Sequence, residues 1–217
     1  MERLTERQRA RRHAILEATR DHLERAGYEG INMRDLATAA NVSPTTLYNL
    51  YTNKDDLVLA SLRDRLEGLD REVRASALQG IEHLLHRCDV LAGGILEMPR
   101  YAEAMALMLF SARPHAPIVQ ILITNVTAQH VSALQIMQEL GEVRADADIA
   151  STARDMCTAA WSAIMLWTKE IISTDDFRDE YTRVHMAALW PALTSEAQRR
   201  HSHFVDAATD LAVSNGN

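Results

Sequence analysis

Within six residues the chain sets out Pro44, Thr45, Thr46, Tyr48 and Asn49, a group that carries hydrogen-bonding hydroxyls and an amide but no charge. Such side chains suit the major groove of a duplex, where base edges offer donors, acceptors and thymine methyls. Thr45, Thr46 and Asn49 are the candidates for base edges, and Pro44 for packing on a thymine methyl or sugar. The chemistry of catalysis is harder to find. There is no GxSxG elbow, GxGxxG loop, P-loop or HExxH in the chain. His83 and His86, and His201 and His203, have spacings that can bind metal, yet neither pair has a third ligand or a neighbouring cysteine. They read as surface histidines, so no metal and no cofactor is expected.

The group must be held by something, and the residues around it spell out three helix starts. Asn32 is an N-cap with Asp35 in the capping-box position and Ile31 and Leu36 as an apolar staple. Ser43 is the second cap, with Pro44 at the first helical position and Val42 and Leu47 as its staple. Asn53 opens a third helix, whose first turn holds Asp55 and Asp56, the charge a helix N-terminus favours. Between the first two lies a helix from Met33 to Ala40 and a tight turn at Asn41 and Val42, where asparagine accepts a left-handed backbone. Two short helices joined so briefly cross steeply, as in a helix-turn-helix. Leu36, Ala37, Ala40, Leu47 and Leu50 repeat at helical spacing and are expected to face inward.

This run resembles the DNA-binding domain of TetR/AcrR-type transcriptional regulators. The matching text is Gly27 and Tyr28, MRDLA from Met33 to Ala37, AANVSPTTLYNLY from Ala39 to Tyr51, and KDDL from Lys54 to Leu57. Asn41 and Thr45 stand where the family often has glycine, and Tyr51 where it often has phenylalanine. The resemblance implies that Tyr48 and Lys54 clamp phosphates, Lys54 with help from backbone amides at its helix start. It also implies that Arg34, Ser43 and Tyr51 belong to the same DNA-binding set, and that the protein acts as a repressor.

Composition bounds the rest. The 217 residues are 47% hydrophobic, enough for a substantial core. Cys88 and Cys157 have no CxxC spacing and no secretory leader precedes them, which fits core thiols in a reducing cytoplasm. No apolar run reaches the roughly 18 residues of a membrane span, so no membrane partner is expected. The net charge of −7 runs against DNA binding, but it is unevenly spread. Residues 1–60 hold nine basic and nine acidic side chains, whereas residues 61–217 hold 14 and 21. Arg3, Arg7, Arg9, Arg11 and Arg12 crowd the start against Glu2 and Glu6, within reach of phosphates or simply solvated.

A first helix is predicted over Arg7–Ala26, with Ile15, Leu16, Thr19, Leu23 and Ala26 on one face and Gly27 as its stop. A linker helix follows from Lys54. Further helices are predicted over Gly80–Glu97, from Pro99 to before Pro114, over Pro117–Leu140, over Ile149–Ile172, after a Thr174 cap, and over Ser195–Val213. The whole is an all-α chain with an N-terminal three-helix helix-turn-helix domain, residues 1–53. A larger helical effector-binding and dimerisation domain, residues 54–217, begins with the linker helix 54–78.

The resemblance implies a homodimer through the last two major helices, exposing Ala153, Met156, Ala160, Ile164, Tyr181, Val184, Ala188 and Leu189; the same residues would equally fill a monomer core. It implies also a small apolar or amphipathic effector. Met98, Tyr101, Met105 and Met108 at near-helical spacing, with Trp161 and Met165, are its candidate contacts, methionine being adaptable to apolar cavities. Arg100 and Arg113 are candidates for an anionic group. Double-stranded operator DNA, that effector and a second copy are thus the expected partners. The contrasting reading is an all-α enzyme or a helical interaction protein.

Overall fold

The computed structural model describes residues 5–111 and 116–204. It is all-α, as expected. The helices are α1 (Glu6–Ala26), α2 (Met33–Ala39), α3 (Pro44–Leu50), α4 (Lys54–Arg74), α5 (Gly80–Glu97) and α6 (Pro99–Leu109). Then come α7 (Ala116–Val119), a π-helical segment (Gln120–Asn125), α8 (Val126–Glu139), α9 (Ile149–Thr168), α10 (Phe177–Leu189), a 3-10 turn (Trp190–Ala192) and α11 (Ser195–Arg200). Among the described residues the β structure is a single isolated bridge, Val143 to Leu193. No helix among them is long and apolar enough to cross a membrane. The chain forms two compact units, Met1–Arg71 with Glu97–Ile118, and Glu72–Leu96 with Val119–Asn217.

In the first unit α1 opens on a capping box formed by Thr5 and Gln8. Thr5 Oγ1 accepts from the Gln8 amide at 3.3 Å and Gln8 Oε1 accepts from the Thr5 amide at 2.7 Å. The helix closes at Gly27, whose φ of +66° favours a residue without a Cβ. Ile15, Leu16, Thr19 and Leu23 are buried, while Ala26, expected beside them, is exposed. Leu36, Ala37, Ala40 and Leu47 are buried as expected. Leu50 is not: it is 52% exposed, because a helix of two turns covers only the residue at its centre. α6 belongs to this unit and packs on α1.

The second unit is built around α9, which packs against both α8 and α10. Its α9 begins with Asp148 Oδ1 accepting from the Ser151 amide at 3.0 Å. Ala153, Met156, Ala160 and Ile164 of α9, and Tyr181 and Leu189 of α10, are buried within one chain, and Val184 and Ala188 half-buried. The face expected to meet a second copy is therefore interior. The helix expected over Pro117–Leu140 is interrupted by the π-helical segment before it stops at Gly141, φ +73°. α9 ends at Thr168, four residues early, where Glu170 turns left-handed at φ 57°. The cap expected at Thr174 is not formed: α10 starts after Asp176, which makes no side-chain cap bond, and Ser173 Oγ accepts from the Asp176 amide at 3.1 Å in the turn before it. α11 closes at His201 and helix resumes at His203 and Phe204; the remainder of the stretch expected to run to Val213 lies outside the described residues.

This unit buries two histidines, His130 on α8 and His185 on α10. Burial, with the neighbouring His185 and Arg87, lowers the His130 pKa from 6.5 to about 3, and burial lowers that of His185 to about 4. The unfolded chain takes up both protons below about pH 6.5, whereas the folded chain refuses them until near pH 4. Stability is therefore full above pH 6.5 and falls as the pH drops through that window. Urea unfolding at pH 7 and pH 5 should show a loss on the order of 2 kcal/mol per histidine. A His185→Phe variant should lose less stability between the two pH values than the parent.

Candidate nucleic-acid interface

The turn between α2 and α3 is set by backbone geometry. Asn41 has φ 51°, and the Val42 amide reaches back to the Ala37 carbonyl at 2.9 Å, so the chain reverses in two residues. Side chains then fix both helix starts. Asn32 Oδ1 accepts from the Arg34 amide at 2.9 Å; this bond to the second helical residue replaces the Asn32–Asp35 box expected. Ser43 Oγ accepts from the Thr46 amide at 3.1 Å and lies 2.8 Å from Thr46 Oγ1.

α3 buries only Leu47 and turns the rest outward. Pro44, Thr45 and Asn49 are exposed, and Tyr48 is 52% exposed. Thr46 is half-buried with its hydroxyl engaged by Ser43, so of the three candidate base readers only Thr45 and Asn49 carry an uncommitted face. Ser43 itself is exposed but acts as the cap. Arg34 is exposed at the start of α2. Tyr51 is half-buried, and burial raises its pKa while the Arg12 guanidinium beside it opposes the shift. Arg7, Arg9 and Arg11 are exposed along α1; Arg3 lies outside the described residues.

Lys54 is held rather than free. Its Nζ sits 4.2 Å over the Tyr28 ring, whose hydroxyl donates to the Asp55 carboxylate. Burial and Asp55 push the Tyr28 pKa up, which keeps the phenol protonated as that donor. Asn53 Oδ1 accepts from the Asp56 amide at 2.9 Å and caps α4, so Lys54 stands on a fixed first turn.

Deeper in the same unit Arg20 ties α1 to α4. Its Nη1 donates to the Ser61 carbonyl at 3.2 Å and to Asp64 Oδ2 at 3.0 Å, and its other nitrogen to Glu17. Glu24 ties α1 to α6: its carboxylate accepts from the amides of Arg100 (3.4 Å) and Tyr101 (2.9 Å) at the start of that helix. Arg100 answers by donating from Nη1 to the Arg25 carbonyl at 2.6 Å, at the end of α1. Two helix ends thus satisfy each other's orphan groups. The sequence analysis missed Arg20, Glu24 and Tyr28 as organisers of this site, since their partners lie 27 to 77 residues away.

The candidate effector contacts fall on both units. On α6, Tyr101 and Met105 are buried, with Tyr101 Oη 3.4 Å from Ser61 Oγ, and burial pushes the Tyr101 pKa up to about 12. Met98 and Met108 are half-buried, and Met108 lines an open cleft of about 440 Å³ with Tyr28, Asp55, Arg100, Glu103 and Leu107. Trp161 and Met165 are half-buried on α9 in the second unit, where the Trp161 indole donates to the Leu122 carbonyl at 3.3 Å. Arg100, offered above for an anion, is committed to Arg25; Arg113 lies outside the described residues. Among the described residues no three His, Cys, Asp or Glu side chains converge as a metal site.

Residues 15–61, spanning most of α1 through the first turns of α4, match the family model described as bacterial regulatory proteins, tetR family. Over that segment the chain is similar to the DNA-binding region of tetR-family regulators. The HTH-type transcriptional repressor KstR of Mycolicibacterium smegmatis is 37% identical over 76 residues, 35% of this chain and 37% of that protein. Its counterpart from Mycobacterium tuberculosis is 36% identical over 76 residues, 35% and 34% of the two chains. The chain thus spans about a third of the length of the curated relatives it matches. The TetR fold extends further. A TetR transcription regulator from Haloarcula marismortui aligns with TM-score 0.68 at 18% identity, over 85% of this chain and 98% of that one. Thermus thermophilus FadR, a repressor solved with lauroyl-CoA, aligns with TM-score 0.65 at 23% identity, over 82% and 93%.

The Glu24 latch predicts a stability effect that separates charge from hydrogen bonding. Glu24→Ala leaves two amides at the start of α6 without their acceptor and should cost about 1 kcal/mol by urea unfolding, whereas Glu24→Gln, which keeps a carbonyl, should cost less.

Proposed function

We propose that this chain is a TetR-family, ligand-responsive repressor that binds a palindromic operator as a homodimer and is released by a small apolar or amphipathic effector. The observation that carries the reading is the exposed polar face of α3, Pro44, Thr45, Tyr48 and Asn49, held out by a single buried leucine. Thr45 and Asn49 read base edges, Pro44 packs beside them, and Tyr48 and Lys54 hold phosphates. Arg34, Ser43, Thr46 and Tyr51 complete the set, Thr46 and Ser43 chiefly by fixing the helix start. By role the reader is residues 1–53 and the effector and dimerisation body residues 54–217. KstR's name as a repressor and FadR's bound lauroyl-CoA support the reading by likeness.

One short helix makes few base contacts, so a two-fold pair reading both half-sites is the natural arrangement. With the face first expected now interior, the contact with a second copy is assigned to the outer strip of α9 and α10. Asp155, Thr158, Ser162 and Leu166 recur at helical spacing and are exposed, Leu166 at 40%, and Ala187 is exposed on α10. Small side chains there allow close helix approach.

Gel shift on the intergenic DNA upstream of the protein's own gene tests the reading. Salt-dependent binding to an inverted repeat supports it, and no binding at any salt turns the reading to an enzyme or interaction protein. Lys54→Ala should weaken binding to specific and random DNA alike and lower the salt slope by about one, whereas Asn49→Ala should cost roughly 1–3 kcal/mol on the operator alone. By sedimentation, Leu166→Glu should give monomers that bind a full operator no better than a half-site; an unchanged dimer would move the contact elsewhere.

A further inference from the structure

The two buried histidines of the second unit have a hydrogen-bonding pattern that the core around them does not complete. The rings of His130 and His185 lie 5.6 Å apart, tilted by 58°, and are 3% and 2% exposed. His185 Nδ1 is 2.7 Å from the Tyr181 carbonyl. A carbonyl only accepts, so that nitrogen carries the proton and Nε2 is left as a lone-pair acceptor. His130 Nε2 is fully buried and has no hydrogen-bond partner. Leaving such a group unmet is costly, and folded proteins rarely tolerate it without a use.

The surroundings narrow what could meet it. Tyr181 packs on His185 with centroids 4.6 Å apart, and Phe177 lies beyond at 5.6 Å. Cys88 is buried, and burial pushes its thiol up to about 12, so it is a neutral neighbour. Among the described residues no third ligand joins the two imidazoles to make a metal site. The charged side chain that acts on both rings is Arg87, whose guanidinium donates to Gln129 at the surface. The neutral rings themselves call for an uncharged group that donates to the His185 lone pair and can meet His130 Nε2 in either tautomer. A hydroxyl is that group.

We infer that the His130–His185 pair recognises the hydroxyl of an otherwise apolar alcohol or phenol, and that this is the polar end of the effector site. The π-helical segment Gln120–Asn125 stands directly before α8, the helix that carries His130. Such segments are frequent at functional sites, and exchanging i→i+5 for i→i+4 bonds lets the following helix shift without unfolding. The pair is closed, so admission of the ligand requires α8 to move relative to α10. The name effector rests on the repressor reading above; the binding itself does not.

Calorimetric titration of the DNA-free full chain with 4-butylphenol, butylbenzene and 4-butylbenzoate tests the inference, alongside long-range 1H–15N NMR of the imidazoles. The phenol should bind about tenfold tighter than butylbenzene, as one hydrogen bond to a buried group gives, and should move the His130 and His185 nitrogen resonances. His130→Leu should bring that ratio near one, and His130→Gln should restore part of it, with thermal melts showing both variants folded. Equal binding of phenol and butylbenzene, preference for the benzoate, unmoved imidazole signals, or no binding at all, as a resident water alone would give, each overturns it. These titrations contain no DNA, so their failure leaves the repressor reading standing, and failure of the gel shift leaves the pair's ligand standing.

Discussion

Leu47 is the side chain on which the proposed DNA reader depends. α3 has seven residues and buries no other, so the orientation of its outward face is set by one fully buried leucine where α3 packs against α2. Isolated helices of this length do not persist in water. Burial of one leucine contributes roughly 1.5–3 kcal/mol, and the Ser43 cap about 1 kcal/mol more. The left-handed Asn41 supplies the direction. Remove any one of these and the polar face has no fixed presentation.

What could be read from the sequence was what is local. The Asn32, Ser43 and Asn53 caps, the turn at Asn41 and the stops at Gly27 and Gly141 each involve partners within a few residues, so composition and spacing reveal them. Leu50 misled because helical phase says which side a residue is on and nothing about whether a neighbour reaches that far. The α9 and α10 residues misled for the opposite reason. An alternation of alanine with large apolar side chains suits any close helix pair, and here the pair is α9 with its own α8 and α10. Arg20, Glu24 and the orphan nitrogen of His130 were illegible because each depends on a partner, or the lack of one, far along the chain.

The placement of α6 changes how coupling within the first unit is understood. Read from the sequence, α4 is the one covalent route from the reader to the rest. In the structure α6 joins the reader's own unit, its N-terminus capped by Glu24 and its Arg100 set on the last carbonyls of α1. Tyr101, on the same turn, reaches Ser61 of α4, whose carbonyl also receives Arg20. Three helices therefore share one polar network, buried at Arg20, Ser61 and Tyr101 and open to solvent at Arg100, and its buried members resist piecemeal disruption because each one left unmet costs more than a lost bond. A displacement of α6 is then felt by α1 and α4 together, without travelling along α4.

The charge distribution follows the same division of labour. An overall −7 describes the whole chain, whereas residues 1–60, which hold α3, are balanced at nine basic and nine acidic side chains. Local charge decides instead. Exposed Arg7, Arg9, Arg11 and Arg34 lie in the reader, and Lys54 is steadied by the Tyr28 ring at 4.2 Å. In the proposed phosphate contact, holding that lysine in place lowers the side-chain entropy lost on binding, while the Asp55 carboxylate accepts from the Tyr28 hydroxyl. The acidic first turn that stabilises α4 thus coexists with a cation at the same helix start.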